Sequence, residues 1–239
     1  MTGAVDVTVL WDFDDPQGSE ERLRAAAEQA EAGERVVLLT QVARALGLQE
    51  RYDGGHALLD GLSPVSDEAA VRIALERGRL LRSAGDPEGA RPLFEAAVST
   101  AAAAGLEALQ VDALHMVALV APAPEQLALT ERALAVARTA TEPAARDWDA
   151  SLLNNIGMVH ADAGDFDSAL IAFEEALAAR RRIGDDRRTR IARWMVGWAL
   201  RNLGRRDEAL QVQRAVKTEL DALGETDPYV DEELALLGS

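Results

Sequence analysis

The chain has 239 residues, 48% of them hydrophobic but only 4% aromatic, and a formal net charge of -16. Such an excess of carboxylates argues against wholesale binding to nucleic acid or to an anionic membrane. With no cysteine, disulfides, thiolate chemistry and cysteine zinc sites are also excluded.

Met1 to Gln17 read differently from the rest. Val5, Val7 and Val9 alternate as in a strand, and Trp11 and Phe13 follow among Asp12, Asp14 and Asp15. Residues 1–17 are expected to form an extended arm anchored by the two aromatics; the opposing expectation is a partly disordered tail with one aromatic tucked in. A lone strand needs a partner, which makes arm exchange in a homodimer one expectation. The acidic start lacks the basic region of a signal peptide, and no apolar run approaches the roughly 20 residues of a membrane span. A cytoplasmic protein is expected.

Ser19 suits a helix N-cap, and a capping helix is expected from there to about Ala32, stopped by Gly33. Beyond it the chain repeats one pattern. Its clearest copy runs from Leu152 to Arg182, LLNNIGMVHADAGDFDSALIAFEEALAARRR. Leu152, Leu153, Ile156, Gly157 and Val159 form one helical stripe. Gly164 ends that helix, since glycine takes the left-handed conformation without strain, and Asp165 can cap the next. Phe166, Ala169, Leu170, Phe173, Ala176 and Leu177 make the second helix amphipathic. Gly157 and Ala169 are small and face each other, with Phe173 filling the space beyond.

Gly157, His160, Gly164, Phe166, Ala169, Phe173 and Ala176 stand at the spacing of a tetratricopeptide repeat, and the unit resembles that family. His160 stands where Tyr is usual, and the closing Pro is absent. Gly78, Gly85, Ala90, Phe94 and Ala97 repeat the match. Turn positions fall at Glu50, Gly85, Ala121, Gly164 and Gly204, with spacings of 35, 36, 43 and 40 residues, against a family period of 34. The longer units and the LLNNIG run are similar to kinesin light chains. Extra residues are expected to lengthen helices around 139–149 and 179–190.

The resemblance implies an all-α fold, a right-handed α-α superhelix of about five helical hairpins with N- and C-terminal capping helices. Residues 18–239 are expected to be a single solenoid domain, with repeats at about 35–65, 66–104, 106–140, 143–183 and 187–222 and a cap at 226–237. In the fifth repeat Gln213 replaces the Phe.

In this family the first helices line a concave groove. The register places Gln41 and Arg44 there from the first repeat, and Arg72, Glu76, Arg79 and Arg82 from the second. The third offers Asp112 and His115, the fourth Asn154, Asn155, Met158 and Asp162, and the fifth Trp194, Trp198, Arg201 and Asn202. Arginine donates two parallel hydrogen bonds to a carboxylate. Asn155 matches a position that holds an extended peptide in kinesin light chains. Trp194 and Trp198 share one helix face and suit an apolar anchor.

The expectation is a scaffold or interaction module, not an enzyme, whose groove takes an acidic peptide or protein. No cofactor or metal is expected. Self-association through the arm, and a small-ligand sensor, are the alternatives. The opposing expectation for the site is that the arginines pair with Glu76, Asp112 or other acids and that the tryptophans are core. The carboxylate-clamp pattern that grips chaperone C-termini is not matched: Val111, His115, Ile191 and Met195 stand at its places, and only Asn155 fits. Asp112 and His115, three apart on a helix, are too few for a metal site.

Overall fold

The computed structural model describes residues 7–238, apart from the side chain of Thr8. The described residues are helical with no strand, as the repeat pattern predicts. They fall into two compact units, residues 1–129 and 130–239, where the sequence reading expects one solenoid.

In the first unit, α1 (Pro16–Gln29) packs on α2 (Ala32–Leu48), and α3 (Tyr52–Asp60) closes a short hairpin. The next hairpin is α4 (Asp67–Ser83) and α5 (Pro87–Ala104). Then come α6 (Glu107–Val120), packed on α4 and α5, and α7 (Ala123–Thr139), within which the two units divide. The second unit continues with a single turn, α8 (Pro143–Arg146), then α9 (Asp149–Asp162) paired with α10 (Phe166–Ile183). Next are α11 (Asp186–Asn202), α12 (Arg206–Leu223) and a closing α13 (Pro228–Gly238).

Three expectations need correction. The arm is not extended: Val7–Leu10 is a turn of 3-10 helix, and Met1 to Asp6 lie outside the described residues. Leu10 and Trp11 pack beside Leu23, Leu38 and Val42, so side-chain burial decides the local conformation rather than the alternation of valines. Ser19 is not the cap of α1. Asp15 is, its Oδ1 accepting the Gly18 N–H at 2.9 Å, while the buried Ser19 hydroxyl exchanges hydrogen bonds with the Asp12 backbone. The extra residues before α9 do not lengthen a helix; they form α8 and its flanking turns, opened by Pro143, which fits the first helical position.

The sequence reading set Gly157 against Ala169 with Phe173 beyond; in two hairpins it is the Phe ring itself that lies on the glycine. A Cβ on Gly157 would lie 2.4 Å from Phe173 Cε1, and one on Gly78 2.5 Å from Phe94 Cε1. Both Phe rings are fully buried. In the fifth repeat a Cβ on Gly197 would meet Gln213 Nε2 at 2.6 Å. Gln213 is itself fully buried; its Nε2 donates to the Trp194 carbonyl at 3.1 Å, but its Oε1 has no partner. In the first repeat Ala43 stands at the glycine position and the smaller Leu59 at the Phe position, both buried in one cluster.

The turns obey the same register. Gly85, Gly164 and Gly204 have φ of 91°, 77° and 75°, and Glu50 is the one non-glycine residue at positive φ among those described, at 60°. No helix among the described residues is long and apolar enough to cross a membrane.

Gly157→Ala is expected to destabilise the second unit by about 1–3 kcal/mol, because its methyl has to displace a fully buried ring. Gln213→Phe is expected to stabilise by about 1–2 kcal/mol, since it removes an unsatisfied buried acceptor and restores a pairing that two other hairpins accommodate. Urea unfolding followed by circular dichroism reads both; a lower midpoint for Gln213→Phe contradicts the second expectation.

Candidate functional site

The first-helix residues singled out in the sequence form two separate groups, one in each unit. In the first unit α2, α4 and α6 bring together Gln41, Arg44, Arg72, Glu76, Arg79, Asp112 and His115. Arg79 is the centre. Its guanidinium donates to Glu76 Oε1 one turn away and, at the same 2.5 Å, to Asp112 Oδ1 on the next first helix. Both carboxylates are buried. Burial disfavours the Arg79 charge, but the attraction of Asp112 and Glu76 outweighs it and holds the pKa above the usual arginine range. Arg72 pairs with Glu68 on its own helix. The pairing of Arg79 with Glu76 and Asp112 is the one that the opposing expectation named.

Arg44 and Arg82 are different. Neither makes an ion pair with a carboxylate among the described residues. Arg82 is exposed on α4. Arg44 is half-buried on α2, and its Cζ lies 5.9 Å from the centre of the Trp11 ring and 5.7 Å from that of Phe13. Burial lowers its pKa, as does the like charge of Arg79; Glu76 and Asp112 act the other way. Trp11 and Phe13 stack with centroids 5.0 Å apart and ring planes 8° from parallel, and Trp11 Nε1–H donates to Gln41 Oε1 at 3.3 Å. The aromatic arm is thus held by its own chain, on two of the residues assigned to the groove. Glu76 Oε2 is buried without a partner.

His115, on α6 near Asp112, Arg79 and Arg82, has its pKa lowered to about 4 by burial and by the two arginines, against the pull of Asp112. It is therefore neutral at pH 7. Among the described residues no group of three or more His, Cys, Asp or Glu side chains is placed to hold a metal ion.

In the second unit the tryptophans form an aromatic ladder. Trp194 stacks on Trp198 (6.3 Å, 12°), Trp198 meets Phe166 and Phe173 edge to face, and Trp194 does the same with Tyr229 of α13. Trp194 Nε1–H donates to the Tyr229 carbonyl. Both tryptophans and Met158 pack on the core cluster of this unit, so they hold α11 to its neighbours. Arg201 is fixed by a bidentate pair with the buried Glu233, and Asn202 donates back to the Trp198 carbonyl. Asn154 and Asn155 are half-buried on α9.

The sequence did not announce a further feature. An open hollow of about 590 Å³ lies against α7, α9 and α10, lined by Leu134, Leu153, Ile156, His160, Ile171 and Glu175 among others. Ile171 is 61% exposed. A solvent-facing isoleucine within a second helix was the available signal.

Residues 148–216 match the family described as tetratricopeptide repeat. No curated protein matches the sequence. Among solved structures, BtubC (BKLC) from P. vanneervenii is similar over 94% of this chain and 94% of its own, with a TM-score of 0.66 and 17% identity. A signal-transduction ATPase from Pyrococcus horikoshii with a tetratricopeptide-repeat sensor aligns with 93% of this chain and 36% of its own, at a TM-score of 0.72 and 11% identity. PlcR of Bacillus thuringiensis, solved with the peptide PapR7 and DNA, aligns with 95% of this chain and 84% of its own, at a TM-score of 0.59 and 12% identity. At these identities the likeness establishes the fold.

Two stability outcomes follow from the charged group. Asp112→Ala leaves Arg79 with half of its compensation and is expected to cost about 3–5 kcal/mol of unfolding free energy in the first unit. His115 binds a proton more weakly folded (pKa about 4) than unfolded (about 6.5). The unfolded state therefore takes up more protons between these values, and stability falls as pH drops from 6.5 to 4, by roughly 2–3 kcal/mol at most. Thermal unfolding between pH 7 and pH 4 is expected to show a shallower loss for His115→Gln; an unchanged slope means that carboxylates alone carry the acid sensitivity.

Proposed function

From a chain that carries tetratricopeptide repeats at residues 148–216, we infer an interaction module that takes an acidic peptide segment on the α2, α4 and α6 face. One observation carries this reading. Acidic residues outnumber basic ones 41 to 25, yet Arg44 and Arg82 face this surface without a carboxylate partner among the described residues. Among these residues Arg44 is met only by the Trp11 and Phe13 rings and Arg82 is exposed, so on this one face two cations stand open to a carboxylate. Arg79 is already held by Glu76 and Asp112, so its role is to fix α4 against α6 and to add positive potential beside Arg44.

The chemistry suits a carboxylate-bearing ligand. A half-buried guanidinium such as that of Arg44 gains more from an ion pair than an exposed one does. A negative partner is also the kind that a chain of this net charge would otherwise repel, so recognition depends on the local field of the arginines and weakens with salt. The solved PlcR complex contains a peptide, which supports a peptide as the ligand class on this fold. The tryptophan ladder is committed to packing α11 and α13, and supports an apolar anchor less well.

The test is an array of short synthetic peptides, acidic and basic in equal numbers, probed with the intact chain and with Arg44→Glu and Arg82→Glu. Acidic peptides are expected to be retained and each reversal to weaken them about tenfold or more, which corresponds to about 1.4 kcal/mol. Equal retention of basic peptides, or indifference to both reversals, overturns the reading.

A further inference from the structure

The arm that precedes α1 is attached in two parts of unequal strength. From Asp12 onward it is tied firmly: the Ser19 hydroxyl exchanges two 2.8 Å hydrogen bonds with the Asp12 backbone, and Asp15 caps α1. Just before and within this tie lie the two rings: Trp11 packs partly beside Leu23, Leu38 and Val42, whereas Phe13 only stacks on Trp11 and on the Arg44 guanidinium. Trp11 has one hydrogen bond at 3.3 Å, to Gln41, and Phe13 is 52% exposed. What the rings cover is Arg44, a cation half removed from water beside Arg79 and lacking a carboxylate among the described residues. A ring face offers such a cation about 0.5–1 kcal/mol at an exposed site, whereas a carboxylate offers a charge-assisted pair. The arm therefore occupies Arg44 in the manner of a weak resident ligand.

We propose that the Trp11–Phe13 arm is a cis cover over a carboxylate-binding site at Gln41 and Arg44, displaced when an acidic partner segment takes the Arg44 guanidinium. The proposal rests on the functional reading above and adds its control element. The geometry gives it a hinge. The rings can leave while the Asp12–Ser19 bonds and the Asp15 cap remain, so that α1 keeps its start. Gln41 is freed in the same event, and its side-chain amide then offers both a donor and an acceptor to a peptide backbone.

A fluorescein-labelled hexaglutamate peptide, titrated by anisotropy against the intact chain, tests this. Phe13→Ala removes a half-exposed ring and leaves the fold intact. It is expected to tighten binding about two- to fivefold, the range that one ring face at an exposed site corresponds to. Arg44→Ala is expected to weaken binding, and Phe13→Ala to give no gain in that background. The indole N–H resonance of Trp11, assigned by Trp11→Phe, is expected to move towards its solvent-exposed position as the probe saturates. If Phe13→Ala leaves affinity unchanged while Arg44→Ala weakens it, the cover is overturned and the acidic site stands. If Arg44→Ala has no effect, or the probe binds none of the chains, the site itself is overturned and the cover with it. A Trp11 resonance that stays fixed at saturation shows that the arm is not displaced, and also overturns the proposal.

Discussion

A ring pressed against a backbone is the contact from which the rest of this structure is built. Phe94 and Phe173 occupy the space that a side chain on Gly78 or Gly157 would need, and that close approach fixes the separation of the two helices in a hairpin. Once the separation is fixed, the remaining positions of each first helix are determined: one stripe meets the second helix, and another is presented on the opposite side. Arg44, Arg72, Arg79 and Asp112 lie within reach of one another on α2, α4 and α6, while Gly78 on the other side of α4 takes the Phe94 ring.

Charge is then distributed in a way that the bulk composition conceals. Several arginines tie neighbouring elements together, as Arg79 does α4 and α6, Arg201 α11 and α13, and Arg193 α11 and α12. A partly buried pair of this kind contributes little net stability but is costly to break from one side. It therefore specifies register more than it adds energy. Arg44 differs in lying on rings rather than on a carboxylate, and Glu76 Oε2, with no partner, lies on the face that Arg44 shares.

Much of the fold was legible because its signals are local. Glycines at 85, 164 and 204 with φ of 91°, 77° and 75° mark turns that any sequence reading finds, and Asp165 caps α10 as expected. The position of the arm was not legible. Val5, Val7 and Val9 alternate like a strand, but the decisive fact is that Trp11 reaches Gln41, 30 residues away, and no short-range pattern encodes that. Ser19 misled for a similar reason: it is a good capping residue in isolation, but Asp15 lies one turn earlier and Pro16 suits the first helical position. At the site, the partners of the first-helix residues were not readable. Arg79 meets Asp112 across 33 positions and Arg201 meets Glu233 across 32, pairings that no short-range pattern encodes.

The hairpin of α2 and α3 is the least reinforced of the set. Its second helix has nine residues where α5, α10 and α12 have 18, its ring position holds Leu59, and its turn forces Glu50 to φ 60°, where an L side chain is strained. Local opening free energies in a folded protein range from near zero up to the global value, and thinly buried segments sit at the low end. Amide protons of α3 should therefore exchange with solvent before those of α5 or α10, on the timescale of subglobal rather than complete unfolding. Because α2 carries Gln41 and Arg44, a ligand there draws on conformational entropy as well as on charge: occupancy quenches the fluctuations of a soft hairpin, and part of the binding free energy is spent on order rather than contact.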